Sequence, residues 1–253
     1  MNSGKIIVIE GADGSGKTTQ LTEVLKRFAN DPRNFRSMEF PNYESESSFG
    51  IREYLNGDIT CNCMQASTLY AIDRFITFKK VYQDLYTSGT PLITGRWITS
   101  NVAYQSSRII SKIIQDEGED GFSKIGYQLY ALLSLINMLE FRIYELPPAD
   151  LTIYLRTPKK RIDERVRMRT RDLDVHETDT ILQKQVRDFY ENPDEYFNIA
   201  NGISSVKIAS WESFAGKYVI IDVCDSEGNF LPKDHITDMI CDKIDRFMKG
   251  EEL

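Results

Sequence analysis

Short runs of apolar, often β-branched residues recur along the chain at 5–10, 36–40, 91–94, 151–155 and 217–222, with longer stretches of helical spacing between them. Runs this short and this uniformly apolar suit strands buried on both faces. Strands alternating with helices predict an α/β fold: a five-stranded parallel sheet flanked by helices on both faces. One helical pattern fills 63–87 without a proline, a second runs from about Ser100 to Gln115, and a third from Phe122 to Glu145 stops at Pro147-Pro148. Thr157-Pro158 reads as a cap followed by the first residue of a helix. A last helix is expected from about Lys233 to Met248, closing the sheet. Two stretches fall outside the alternation. Arg169 to Thr180 is polar enough to be a flap, and 199–216 reads as a surface insertion with no interpretable motif. No repeat, low-complexity tract or linker divides the chain, so residues 1–253 are expected to form a single domain.

The first turn of that alternation carries chemistry. Gly11-Ala12-Asp13-Gly14-Ser15-Gly16-Lys17-Thr18 follows directly on Ile6-Ile7-Val8-Ile9. Strand, glycine-rich turn and helix in that order wrap backbone N–H groups around a polyphosphate. Gly11, Gly14 and Gly16 permit the close approach, Lys17 can reach the β- and γ-phosphates, and the Thr18 hydroxyl can ligate Mg²⁺. An ordinary glycine-rich turn would need no Lys-Thr after its last glycine. The spacing and the context together predict a P-loop NTPase fold that binds a nucleoside triphosphate.

Composition narrows the partners. With 41% hydrophobic residues the chain can bury a proper core, yet no apolar run approaches a membrane span. The first strand begins almost at once, which leaves no room for a signal peptide. Cys61, Cys63, Cys224 and Cys241 match neither metal-ligand spacing nor a disulfide framework, and are expected to stay reduced in a cytoplasm. The net charge of −7 hides one basic island. From Arg156 to Arg171 eight basic residues face two acids, a local +6 that leaves −13 elsewhere. A nucleic-acid binder is usually basic over a broad face, so a small polyphosphate suits this island better. Arg161, Arg165 and Arg169 recur every four residues and share one helical face, whereas Lys159 and Lys160 suit a solvated one.

Four further clusters extend the picture, and with the loop they resemble the thymidylate kinase family along nearly the whole chain. The first is Glu10 through Thr19-Gln20, in which the resemblance implies ATP binding by Gly11, Ala12, Asp13, Gly14, Ser15, Gly16, Lys17, Thr18 and Thr19. It also implies that Asp13 faces the acceptor sugar and its phosphate. The second is Phe40-Pro41-Asn42-Tyr43, similar to the family's turn beside the acceptor pocket. The third is Tyr70-Ala71-Ile72-Asp73-Arg74. Tyr70 and Arg74 lie one turn apart, and a ring beside a guanidinium can stack on a pyrimidine while donating to a carbonyl. Taken alone, such a pair is more often a helix surface feature; by resemblance it reads the base.

The fourth cluster is Gly95-Arg96-Trp97-Ile98-Thr99-Ser100-Asn101-Val102-Ala103-Tyr104-Gln105. The resemblance implies that Arg96 holds the acceptor phosphate, that Ser100 binds the acceptor, that Asn101 meets the base edge, and that Tyr104 packs under the sugar against a 2′-hydroxyl. Trp97 is expected to be plain packing. Farther on, Arg165 to Arg171 resemble a lid over ATP spanning about 167–180, with Arg167, Arg169 and Arg171 as equal candidates for catalysis. Asp174, His176 and Glu177 resemble the family's acidic edge beside the acceptor, where His176 suits a pocket wall.

Two positions depart from the family. Gly95 replaces an Asp near the metal and phosphates, for which Glu10 or Asp13 could stand in through water. Arg156 replaces another Asp, reaching either phosphate or solvent. The resemblance implies phosphorylation of dTMP to dTDP by ATP with Mg²⁺, in a cytoplasmic homodimer packed through the 122–143 helices and without nucleic-acid or membrane partners. The alternatives are another deoxynucleoside monophosphate such as dUMP, or a catalytically weakened nucleotide-binding regulator, for which Gly95 is the support.

Overall fold

The computed structural model describes residues 3–162 and 179–253. Five strands form one sheet: β1 (Ile6–Glu10), β2 (Arg36–Met38), β3 (Leu92–Thr94), β4 (Leu151–Arg156) and β5 (Lys217–Asp222). Their order is β2-β3-β1-β4-β5, and each neighbouring pair runs parallel. The helices are α1 (Lys17–Arg27), α2 (Phe49–Asn56), α3 (Cys63–Thr77), α4 (Gln83–Thr87), α5 (Ile98–Glu117), α6 (Phe122–Asn137), α7 (Thr180–Glu191), α8 (Pro193–Asn201), α9 (Trp211–Ala215) and α10 (Lys233–Lys249). A π-helical turn, Phe78–Tyr82, joins α3 to α4, and a second, Met138–Ile143, prolongs α6. The helical patterns at 63–87 and 122–145 are therefore each one rod with its register shifted partway along, whereas α5 is a single uninterrupted helix.

All of β1 is buried, as expected of a central strand. Its alternation divides the core. Ile6 and Val8 join the layer with Leu129, Leu133, Phe189 and Trp211, from α6, α7 and α9. Ile7 and Ile9 join the layer with Val24 of α1 and Ile240 and Ile244 of α10. Local signals set the ends of helices. Asn62 and Gln65 form a reciprocal capping box at the start of α3, Asp179 accepts from the Ile181 and Leu182 N–H groups to open α7, and Gly57 at φ +85° ends α2.

Three readings of the sequence are corrected. Residues 199–216 are not a surface insertion throughout, because Trp211, Phe214 and Ala215 of α9 are buried in the larger core layer. Lone aromatic residues between polar ones gave no periodicity to follow. Arg156 does not simply point to solvent: its half-exposed side chain grips Asp222 on the neighbouring strand with two hydrogen bonds of 2.5 and 2.6 Å. Arg161 is likewise occupied, donating from Nε to the Gly228 carbonyl at 2.6 Å and from Nη2 to Asn229 Oδ1 at 2.9 Å, so it holds the turn after β5. Arg165 and Arg169 lie outside the described residues. None of the four cysteines is joined in a disulfide, and no described helix is long and apolar enough to cross a membrane.

Candidate active site

The C-terminal ends of β1 and β3 open onto two adjoining clefts, the usual place for ligands on a parallel sheet. The first follows the phosphate loop. Gly14 and Gly16 adopt φ of +87° and +96°, and α1 begins at Lys17 as the sequence predicts. A Cβ on Gly11 would lie 2.3 Å from Ser15 Oγ, so only glycine lets the loop close this tightly. Lys17 Nζ folds back to the Gly11 carbonyl and donates to the Ala12 carbonyl at 3.1 Å. The cleft continues over Thr18 and Thr19 to Gly95 and Arg96.

Asp13 forms the boundary with the second cleft and lines both. Arg96 Nη2 donates to its Oδ1 at 3.2 Å, Gln183 Nε2 of α7 donates to its Oδ2 at 3.0 Å, and Lys17 Nζ lies 3.8 Å away. Burial alone would raise its pKa. The cations of Lys17 and Arg96, with the hydrogen bond from Gln183 and the nearby Tyr104 hydroxyl, outweigh burial and hold the carboxyl at about 2. Tyr104 is pushed up by burial and by the Asp13 charge, so its hydroxyl keeps its proton. The Arg96 guanidinium lies over the Tyr104 ring at 5.4 Å.

The second cleft is narrow, with a cavity volume of about 70 Å³. Its walls bring together Asp13, Phe40, Pro41, Tyr43, Tyr70, Arg74, Arg96, Ser100, Asn101 and Tyr104, which come from separate segments of the chain. The sequence clusters therefore converge on one cavity. Tyr43 stands half-exposed at the mouth, while Arg74 is buried in the depth. Trp97 is fully buried, donates from Nε1 to the Pro147 carbonyl at 3.1 Å and packs on Phe40 and Phe78, the packing role expected of it. Arg167, Arg169, Arg171, Asp174, His176 and Glu177 lie outside the described residues.

Several residues escaped the sequence reading. Asp73 is buried and accepts from the Asn42 N–H at 3.1 Å and the Ser47 hydroxyl at 2.7 Å, tying the 40–48 turn to α3. Gln183 reaches Asp13 from 170 residues away. Glu140 pairs with Arg74; its signal was a lone acid inside the apolar run 129–143. Leu55 and Gln105 complete the wall.

Glu10 is unavailable as a substitute for the Asp missing at Gly95. It is 1% exposed, with Thr99 and Ser100 hydroxyls donating to Oε1 at 2.7 and 2.6 Å and the Tyr190 hydroxyl donating to Oε2 at 2.9 Å. Among the described residues no group of His, Cys, Asp and Glu could hold a metal ion unaided. A loop closed to every side chain at Gly11, with Thr18 exposed at the head of α1, nevertheless fits a metal that arrives on phosphate oxygens. At Gly95 an added Cβ would meet only Leu21, at 3.5 Å, so the space for a carboxylate side chain begins open.

A phosphate loop sharing a wall with a second polar cavity defines the class: a P-loop protein with the architecture of a nucleoside monophosphate kinase. Residues 9–119 match the model of the thymidylate kinase family. The fold is also that of thymidylate kinase from Candida albicans, a structure described for its broad substrate specificity, at 23% identity and a TM-score of 0.64 over 98% of this chain and 94% of that one.

Proposed function

We propose that this protein transfers the γ-phosphoryl group of ATP to dTMP, giving dTDP and ADP. The observation that carries this reading is the wall that the two clefts share, including Asp13 and Arg96, because nucleotides bound on its two sides would have their phosphates face to face. A monophosphate oxygen is already anionic near neutral pH, so the reaction needs alignment and charge neutralisation rather than a strong base. Lys17 leaves its loop carbonyls for the β- and γ-phosphates, and Arg96 holds the acceptor phosphate while Asp13 fixes the guanidinium. Mg²⁺, held through phosphate oxygens and Thr18, would neutralise part of the phosphate charge. Tyr104 lies under the sugar and excludes a 2′-hydroxyl. The site calls for no nucleic acid or membrane, and a cytoplasmic homodimer is part of the reading. Exposed Tyr127 and Met138 on the α6 rod, 67% and 53% accessible, supply apolar surface for its interface.

Coupled detection of ADP across the common ribo- and deoxyribonucleoside monophosphates tests this function. Formation of ADP with dTMP, strongest in the panel, is expected; none with any deoxynucleotide would end the proposal. Gly95→Asp sharpens the test. The new carboxylate enters open space beside the loop and is expected to raise turnover by about tenfold if it supplies the missing charge.

A further inference from the structure

At the back of the acceptor cavity lies a charged pair of which only Arg74 has so far been given a role. Arg74 on α3 and Glu140 in the π-helical turn after α6 are 4% and 0% exposed. Arg74 Nε donates to Glu140 Oε2 at 3.1 Å and Nη2 donates to Oε1 at 2.9 Å, the two-pronged match of guanidinium and carboxylate. Nη1 donates to the Trp97 carbonyl at 3.3 Å. The fork is thus fixed at three points, and the second N–H of Nη1 and of Nη2 is left over on a residue that lines the cavity.

Asn101 is held by the same carboxylate. Its Nδ2 donates to the Ser67 carbonyl at 3.2 Å and lies 3.4 Å from Glu140 Oε1. Both partners only accept, so they determine which way the amide faces. The amide is planar, and its Oδ1 is therefore turned away from them. That oxygen is buried and has no hydrogen-bond partner among the described residues, although Asn101 lines the cavity. A buried acceptor left empty costs about 1–3 kcal/mol unless a ligand fills it.

We propose that Glu140 is a positioning residue for acceptor selection: by gripping the Arg74 fork and the Asn101 amide together, it presents a donor beside an acceptor to the base. An imide edge, a carbonyl next to an N–H as in thymine or uracil, answers that pair. Cytosine presents an amine and a bare ring nitrogen, so both contacts are mismatched. This assignment rests on the acceptor reading above and adds the origin of its selectivity. Removing the carboxylate frees the amide to rotate and the fork to drift, and the preference for imide bases falls before catalysis itself does.

The test compares dTMP with dCMP, by kcat/KM and by calorimetric binding, in the wild type and two variants. Glu140→Gln keeps the shape and removes the charge. Because it leaves Arg74 buried without a counter-ion, the double variant Arg74→Met/Glu140→Met provides an apolar replacement for the pair that should still fold, checked by thermal melting. In both, the dTMP-to-dCMP ratio is expected to fall by about tenfold to a hundredfold, while Glu140→Asp recovers part of it. A ratio unchanged in the folded double variant would overturn the assignment, as would a wild type that does not discriminate between the two. A wild type that binds neither nucleotide would remove the acceptor reading as well, and that outcome is separable from the others.

Discussion

The two clefts recognise their ligands by opposite means. The phosphate loop is backbone: glycines at positions no side chain could occupy, one lysine, and a helix start, all within eight consecutive residues. The acceptor cavity is side chains: an aromatic lining over a buried ion pair, assembled from the loop, the 40–43 turn, α3 and α5, with Glu140 behind them. A phosphate is the same on every nucleotide, so a contiguous motif can recognise it. A base edge is particular, and its recognition needs directional groups whose orientation is set by neighbours far away in sequence.

If the clefts are separate in this sense, damage to one should leave the other readable. Lys17→Ala should produce the largest effect, lowering turnover by at least about a thousandfold, while calorimetry finds dTMP affinity changed by less than about threefold. A parallel collapse of dTMP binding would show that the division is false. Asp13→Asn strikes the shared wall and should act on both. The carboxyl sits at about 2 when folded against an ordinary 3.8, so its charge stabilises the fold fully above about pH 5 and that contribution is lost as pH falls through 2. The variant should therefore be about 2 kcal/mol less stable at neutral pH, with the gap closing between pH 4 and pH 2 in denaturant titrations. A gap independent of pH would remove the electrostatic account of that wall. The smallest effect belongs outside both clefts. Asp222→Ala breaks an ion pair whose side chains are about half-exposed, and should cost under about 1 kcal/mol with turnover unchanged. A clear loss of activity would tie the β5 edge to the site after all.

This contrast also explains what could be read from the sequence. The five strands and the long helices were legible because apolar period acts locally, as along Ile6–Ile9, whereas α2, α7, α8 and α9 were not read. The phosphate loop was legible for the same reason. Ten wall residues of the acceptor cavity, Asp13 to Tyr104, could be nominated only through resemblance, and the residues that orient them stayed hidden. Gln183 and Glu140 act across distances in sequence that no spacing rule covers, and Asp73 was masked by the arginine beside it. Arg156 was misread because its partner, Asp222, is a neighbour only once β4 and β5 lie side by side.

Asp13 has a further consequence. Its carboxylate is a member of both walls, with contacts to Lys17 on one side and to Arg96 and Gln183 on the other. Whichever guest enters first draws on a cation that Asp13 was balancing, and so alters the welcome given to the second. Equilibrium requires that influence to be of equal size in either order of arrival. A single carboxylate thereby makes the two chambers answer to one another without any large movement between them.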